Sequence, residues 1–530
     1  MNSPRILTTP AEGAYAYPLL LRHLLANVAQ QTSAEIVSGQ WRFTYSDLAD
    51  RVSRLAALLA DRGVRPGDTV AVMDWDSHRY LECYFAIPMM GAVLQTVNVR
   101  LSPAQIAYTL RESGASFVLR HADFGPLCGD ILSDLPAIRG VIRMEERPEP
   151  GSYEALIAAT APTFRFEDFD ENAIATTFHT TGTTGNPKQV FFSHRQLVLH
   201  TLALAATLAN QPAGQGLRRG DVYMPMTPMF HVHAWGLPFV ATMLGLKQVY
   251  PGRYDPKRLL ALKRREQVNF SHCVPTILRM LLDARGDGAE SLGPWTVIIG
   301  GSALPPSLAD EASRAGLSTL VGFGMSETGP VVALARSPGN DTAELCRAGF
   351  PIPLVHARLD REGGNELLLR APWLTRGYGS QAASDALWEA GWLHTGDVAA
   401  MDDDGAIRIV DRLKDVIKTG GEWVSSIAVE EFLLELPGVA EAAVVGISDG
   451  KWGERPVAFV VAAAGGDTAD PQMLRDGLMH HVAAGRLSKY AIPERVLILD
   501  GLPRTSVGKV DKKALRDRLT IDMAAGEAGA

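Results

Sequence analysis

Apolar positions recur along this chain at two different periods. Residues 41–63, WRFTYSDLADRVSRLAALLADRG, open with a short β-type run. Leu48, Val52, Leu55 and Leu59 then follow at helical spacing, with Ser46 as the expected N-cap and Gly63 as the stop. The next apolar run, TVAVMDW, predicts a strand. The same alternation returns in VNFSHCVP, WTVIIGG and STLVGFG, each ending at Gly or Pro next to a helical pattern. These strands lack in/out polarity, as strands buried on both faces do. Strands alternating with helices predict an α/β fold with parallel-rich sheets flanked by helices.

Near residue 400 the pattern changes. MDDDGAIRIVDRLKDVIKTGGEW holds a turn, a short strand and a charged stretch, and compact strand candidates follow in VAEAAVVGI, PVAFVVAA and RVLILD. The expected division is a large domain over residues 1–411 and a small α+β domain over 412–530, with the join at 411–415. The last residues read as a frayed tail. The chain shows no internal repeat and no low-complexity segment.

Composition narrows the function classes. A chain of 530 residues holds three or four units at roughly 150 residues each. With 46% hydrophobic and 21% charged residues it reads as an ordinary globular protein. The net charge of −8 argues against a nucleic-acid binder that depends on counterion release. Cys83, Cys128, Cys273 and Cys346 are widely spaced and form no CxxC pair, so neither a zinc site nor a disulfide framework is expected. No run suits a signal peptide or a membrane span. The expectation is a soluble, reduced, cytoplasmic protein without an integral membrane segment, with a homodimer left open.

The strongest chemical signal is TTGTTGNPK, residues 180–188. Glycines let a backbone curl so that several N–H groups face one anion, threonines add hydroxyl donors, and Lys188 adds a point charge for phosphate. The segment is not a Walker A loop, which counted from Gly182 would need Gly at Pro187 and Ser or Thr at Gln189. Neither GGSAL nor GMSET meets the G-x-S-x-G pattern of a serine-hydrolase elbow. His231 and His233 have no third and fourth ligand spaced to complete a zinc site. His194 and His200 read as ordinary helix residues.

TTGTTGNPK resembles the phosphate loop of the adenylate-forming superfamily: acyl-CoA synthetases, luciferases and peptide-synthetase adenylation domains. Four more segments match in the expected order: PMFHVHAWGLP (228–238), GFGMSET (322–328), HTGD (394–397) with DRLKDVIKTGGEWVSS (411–426), and PRTSVGK (503–509). The wording PMFHVHAWG and GGEWVSS is most similar to the medium- and long-chain fatty acyl-CoA synthetase branch. The resemblance implies a mobile small domain whose hinge falls at 411–415. It also implies ATP and coenzyme A as co-substrates and Mg²⁺ as cofactor.

Carried over residue by residue, the resemblance places Thr180, Thr181, Gly182, Thr183, Thr184, Gly185 and Lys188 on the phosphates. Gly301, Ser302, Gly322, Phe323, Gly324, Met325 and Ser326 would lie around the adenine. Asp397 and Arg412 would hold the ribose. Glu327 and Thr184 are the metal-side candidates. Lys509 is the implied adenylation lysine, a cation between two anions that would otherwise repel. His231, Val232 and Trp235, with Gly301 and Gly324, would form the acyl site. His231 and Trp235, four apart, would share a face if that segment is helical. Lys414 takes the hinge position. Lys418 and Trp423 would approach the nucleotide, while Gly420, Gly421 and Trp423 would meet coenzyme A.

Two positions depart from the pattern. Gln189 stands where relatives have Gly, and His233 where close ones often have Asn. The implied reaction is acid plus ATP to acyl-AMP, then transfer to coenzyme A. A small, branched or aromatic acid, loading of a carrier protein, a luciferase-type oxygenase and a nucleotide-binding pseudoenzyme stand as alternatives.

Overall fold

The computed structural model describes residues 11, 13–30, 33–180, 186–212, 214–286, 290–336, 347–463, 470–505 and 508–527. Thr181, Gly182, Thr183, Thr184 and Gly185 of the phosphate-loop candidate, and Cys346, lie outside the described residues.

The fold is α/β, with a large N-terminal domain and a small C-terminal one. The first sheet has six strands, in spatial order Gly140–Met144, Ala115–His121, Thr69–Met73, Val93–Thr96, Ile174–Thr180 and Lys188–Ser193. All neighbours run parallel except the last pair, which is antiparallel. The second sheet has nine strands. Six of them run parallel side by side: Leu317–Gly324, Trp295–Gly300, Phe270–Cys273, Val222–Pro225, Lys247–Tyr250 and Glu35–Ser38. A third sheet, antiparallel throughout, carries His356–Asp360, Glu366–Arg370, Trp388–Glu389, Trp392–Met401 and Ile407–Arg412.

The apolar runs explain the two larger sheets. Thr69–Met73, Phe270–Cys273 and Trp295–Gly300 are buried at every position, as strands covered on both faces must be. Helix His78–Met89 is likewise buried along its whole length. The helix expected after residue 41 spans Tyr45–Asp61, and its N-cap is Thr44, not Ser46. The Thr44 hydroxyl accepts from the Asp47 N–H, and Asp47 accepts from the Thr44 N–H at 2.8 Å. This reciprocal box satisfies two orphan donors, which a lone serine cap would not do.

The strand pairing changes across residues 413–416. Ile407–Arg412 closes the third sheet, and Ile417–Thr419 opens a sheet of the small domain. That sheet orders Glu422–Val424, Ile417–Thr419, Gly453–Ala462 and Val439–Asp449, with Arg495–Leu499 also paired to Gly453–Ala462, packed on helices Ser426–Glu435 and Pro471–Ala483. Among the described residues no helix is long and apolar enough to cross a membrane. Cys83, Cys128 and Cys273 are buried free thiols.

Candidate active site

The C-terminal edge of the second sheet gathers segments that lie far apart in sequence. Trp295–Gly300 and Leu317–Gly324 run side by side, with Gly300 opposite Gly322. A Cβ on Gly300 would stand 2.7 Å from the Gly322 carbonyl oxygen and 3.1 Å from the Trp235 ring. A Cβ on Gly324 would overlap the Pro330 carbonyl. Only glycine lets these two strand ends approach their neighbours this closely.

Lys509 enters this edge from the small domain. Its Cε lies 3.4 Å, and its Nζ 3.9 Å, from where a Cβ on Gly301 would be. The turn behind it is fixed by the Thr505 N–H donating to the Lys509 carbonyl at 2.8 Å and the Gly508 N–H to the Thr505 carbonyl at 2.9 Å. Arg504 donates to the Thr276 hydroxyl at 3.0 Å and to the Gly508 carbonyl at 3.1 Å, and pairs with Glu441 at 2.7 Å. Thr276 belongs to helix Pro275–Arg285 of the large domain. Arg504 thus ties the lysine turn to the large domain, a contact that sequence reasoning missed and that no spacing signals.

The charges around Lys509 oppose one another. Burial, then Arg412, lower its pKa to about 8, while Asp397 and Glu327 raise it. Asp397 and Arg412 face each other on adjacent antiparallel strands and pair at 3.3 Å. Burial raises the Asp397 pKa, and Arg412 and Lys509 oppose that. Burial lowers the Lys414 pKa, helped by Arg412. Glu327 is buried just after the Gly322–Gly324 strand end, with its Oε1 accepting from the Tyr378 hydroxyl at 2.6 Å. Lys188 reaches the same tyrosine, its Nζ 4.7 Å from the ring centre. Thr180 is paired with Lys188 at the base of the hairpin. Tyr378 therefore joins Lys188 to Glu327, another residue the sequence did not signal.

His231 lies close enough to Lys509 for that charge to lower its pKa, and with burial as the larger cause it falls to about 3. The ring is neutral at physiological pH. The segment around it corrects the helical expectation. Val232, His233, Ala234 and Trp235 have φ of 46, 53, 46 and 60°, a left-handed turn that ends at Gly236. Side-chain bookkeeping at i and i+4 on a right-handed helix does not apply there. Four anchors hold the turn. Asp76 accepts from the Met229 N–H at 2.7 Å, Thr96 donates to the Phe230 carbonyl at 2.9 Å, and Tyr84 donates to the Met229 carbonyl. The His231 N–H donates to the Pro228 carbonyl at 2.9 Å. His233 points into an aromatic box of Tyr84, Phe178, Phe192 and Phe239.

The other candidates group elsewhere. Ser302 is exposed beside Gly301, and Met325 and Ser326 are half-buried next to Glu327. The Thr328 hydroxyl, accepting from the Met325 N–H at 2.9 Å, fixes that turn. Lys418 and Trp423 pair across the hairpin of the small domain, with the Lys418 Nζ 5.0 Å from the indole centre. Gly420 and Gly421 form its tip with φ of 61 and 85°, Gly420 against Trp452 and Tyr490. These contacts are separate from the Lys509 cluster. Gln189 is buried across the strand pair and donates to the Thr177 hydroxyl at 3.1 Å. His194, the first residue of its helix, accepts from the Leu21 N–H at 3.2 Å, and His200 packs at the Val331 carbonyl at the same distance; both are buried.

A carboxylate–arginine pair from the third sheet, a buried glutamate at the end of the second and a lysine brought in from the small domain act on one another here, the arrangement expected of an adenylate-forming enzyme. The comparisons agree with that class. The AMP-binding enzyme family matches residues 24–379, and the AMP-binding enzyme C-terminal domain matches 428–509. The chain is 39% identical to a long-chain-fatty-acid–CoA ligase of Thermus thermophilus, over 90% of each chain. It is 33% identical to a 3-methylmercaptopropionyl-CoA ligase of Ruegeria pomeroyi, over 94% of this chain and 97% of the relative. ATP-bound MatB from Rhodopseudomonas palustris superposes with a TM-score of 0.82 at 25% identity, over 94% of this chain and 98% of that one. The chain belongs to the AMP-binding enzyme family, as an AMP-forming acid–thiol ligase.

Proposed function

We propose that the protein activates a medium- or long-chain fatty acid, or a similarly apolar carboxylic acid, as acyl-AMP and passes the acyl group to coenzyme A. The observation that carries this reading is the seating of Lys509 against Gly301, beside His231 and within the field of Asp397 and Glu327. The apolar cover of the glycine edge and the fatty-acid ligase among the relatives support an apolar acid.

In the first step a carboxylate oxygen attacks the α-phosphorus of ATP and pyrophosphate leaves. Both reactants are anionic, so a preorganised cation in a shielded site is the main aid the protein can give. Lys509 is assigned that place. Thr180, the glycine- and threonine-rich residues 181–185 and Lys188 are assigned to the phosphates. Gly301, Ser302 and Gly322–Ser326 are assigned to the adenine, and Asp397 with Arg412 to the ribose. In the second step the thiol sulfur attacks the acyl carbonyl, the thiol proton is lost and AMP leaves. For that step Gly420, Gly421 and Trp423 are assigned to coenzyme A, with Lys418 and Trp423 beside the nucleotide. The small domain turns about Lys414 within a hinge at 411–415, where a few backbone dihedrals can absorb the motion.

Among the described residues no cluster of three or more His, Cys, Asp or Glu could hold a metal ion. A magnesium ion shared with phosphate oxygens needs no such cage, only one or two carboxylates with waters. Buried Glu327 fits that part, with Thr184 assigned beside it. When bound, the cation would neutralise charge on the departing pyrophosphate. A smaller acid bearing a heteroatom is the second reading. It draws on the Ruegeria relative's named thioether acid and on the buried, hydrogen-bonded pair His272 and Tyr223, of which His272 packs on the Trp235 ring.

The test is pyrophosphate release across acids of graded length, with ATP, Mg²⁺ and coenzyme A. Acid-dependent release with matching acyl-CoA and AMP is the expected result. Absence of acid-dependent pyrophosphate, or acyl transfer only to a carrier protein, would sink the reading.

A further inference from the structure

A continuous path of contacts leads from Lys509 into the sheet face. Lys509 touches the space above Gly301. The neighbouring Gly300 lies under the Trp235 ring, which would meet a Cβ there at 3.1 Å. The Trp235 ring also packs on His272, with centroids 5.0 Å apart and the rings tilted by 47°. The His272 Nε2 shares a hydrogen bond of 2.9 Å with the Tyr223 hydroxyl, the two rings nearly parallel at 8°. His272 sits on the central strand Phe270–Cys273, between the strands carrying Tyr223 and Ile298.

The polarity of this end is at odds with its surroundings. Phe270, Ile298, Leu320, Leu204 and Leu237 form the cluster around Trp235 and Tyr223. His272 and Tyr223 are fully buried, and the His272 Nδ1 makes no hydrogen bond among the described residues. Burial lowers the imidazole pKa to about 3, so the ring is neutral. In one tautomer Nδ1 is a donor and in the other an acceptor. A hydroxyl on a bound tail satisfies either, whereas a hydrocarbon tail of the same length leaves the nitrogen unpaired.

We propose that His272, backed by Tyr223, is the polar end wall of the acyl pocket. It selects acids whose tail carries a hydrogen-bonding heteroatom at that depth over their hydrocarbon analogues. The inference rests on the ligase reading above and on Trp235 moving aside as the tail enters. His272 acts here as a specificity-determining residue, and the carboxylate chemistry stays with Lys509. The preference follows from the cost of leaving a buried polar atom unpaired beside a bound ligand.

The experiment compares kcat/KM for matched pairs of acids, unsubstituted and ω-hydroxylated, over a series of chain lengths. The wild-type protein is expected to favour the hydroxy acid about ten-fold at one length, with the reverse order at shorter ones. In His272→Phe that preference should vanish while activity on the hydrocarbon acid persists. Tyr223→Phe keeps the ring shape and frees Nε2, so it should weaken the preference without abolishing it. It serves as the readout if the phenylalanine variant at 272 does not fold. A hydroxy-to-hydrocarbon ratio below one at every length, or one unchanged in both variants, would overturn the proposal. No acid-dependent pyrophosphate from any pair would overturn the ligase reading instead.

Discussion

Under the proposed assignment, the protonation of Lys509 ties the first half-reaction to pH. Its ammonium falls from the ordinary 10.5 to about 8 because it is buried and faces Arg412, with Asp397 and Glu327 pulling the other way. At ~1.36 kcal/mol per tenfold change this is about 3 kcal/mol of lost preference for the charged form. The charged form is the one the proposed role requires. In the free enzyme kcat/KM for acyl-AMP formation should be level below pH 8 and fall towards ten-fold per pH step above it. Bound ATP and carboxylate raise the lysine pKa again, so kcat should hold to higher pH than kcat/KM. Denaturation does not imitate this limb. Between about pH 8 and 10.5 the unfolded chain binds more protons at this lysine than the folded one, so its titration adds stability as pH rises. The assay is acid-dependent pyrophosphate release from pH 6 to 10, beside thioester formation from supplied acyl-AMP. Lys509→Ala should lose about 10²–10³ in the first step, as removal of one preorganised donor does, and lose the alkaline limb, while the second step stays near wild type. A wild-type kcat/KM unchanged to pH 9.5, or equal loss of both steps in the variant, would refute the reasoning.

Glu327→Gln keeps an oxygen for the Tyr378 hydroxyl, bonded at 2.6 Å, but removes the charge. The Mg²⁺ concentration for half-maximal pyrophosphate release should rise about ten-fold or more, and superposed metal titrations would contradict the assignment. Thr276→Val removes the acceptor that Arg504 reaches at 3.0 Å. At about 1 kcal/mol for a partly exposed bond, acyl-AMP formation should slow about five-fold with no loss in transfer from supplied acyl-AMP, and equal slowing of both would argue against a docking role. Ala234→Gly, at a φ of 46°, relieves about 1 kcal/mol of left-handed strain and returns a similar entropy cost, so urea unfolding should show little change. Ala205→Gly in the helix His194–Ala209 should cost about 1 kcal/mol, and an equal cost at both positions would show that the turn stores no strain.

Much of the scaffold was legible because its elements are locally consistent. Runs without polar alternation at 69–73, 270–273 and 295–300 fall on parallel strands buried at every position, where cover on both faces removes any need for alternation. The error at Ser46 is instructive. Two hydroxyl residues, Thr44 and Ser46, precede the same apolar stripe, and Asp47 at the third helical position selects Thr44 through the capping box. The antiparallel third sheet was legible only in its last strand, Ile407–Arg412. His356–Asp360 is short and half-exposed, so no apolar pattern marks it.

The active-site candidates divide along the same physical line. Gly322 and Gly324 could be singled out from sequence; the structure brings the Pro330 backbone close to Gly324, whereas Gly322 faces the Ile298 side chain, and the close backbone approach at neighbouring Gly300 was not signalled. The turn at 232–235 could not. Its residues are Val, His, Ala and Trp, none of which favours a left-handed backbone, so the pattern read as an ordinary helix segment. At ~1–2 kcal/mol per residue the conformation costs about 4–8 kcal/mol. What holds it is tertiary: the Asp76 carboxylate on Met229, the Thr96 hydroxyl on Phe230, and the near-complete burial of Val232 through Trp235. A segment that local preference opposes and distant residues impose is where strain is commonly stored for function. Here it sets the Trp235 ring between Gly300 and His272, at the mouth of the proposed acyl pocket. Relaxing the turn would move that ring, so on the proposed reading access for the acid tail and the strain in this backbone are coupled through a single side chain.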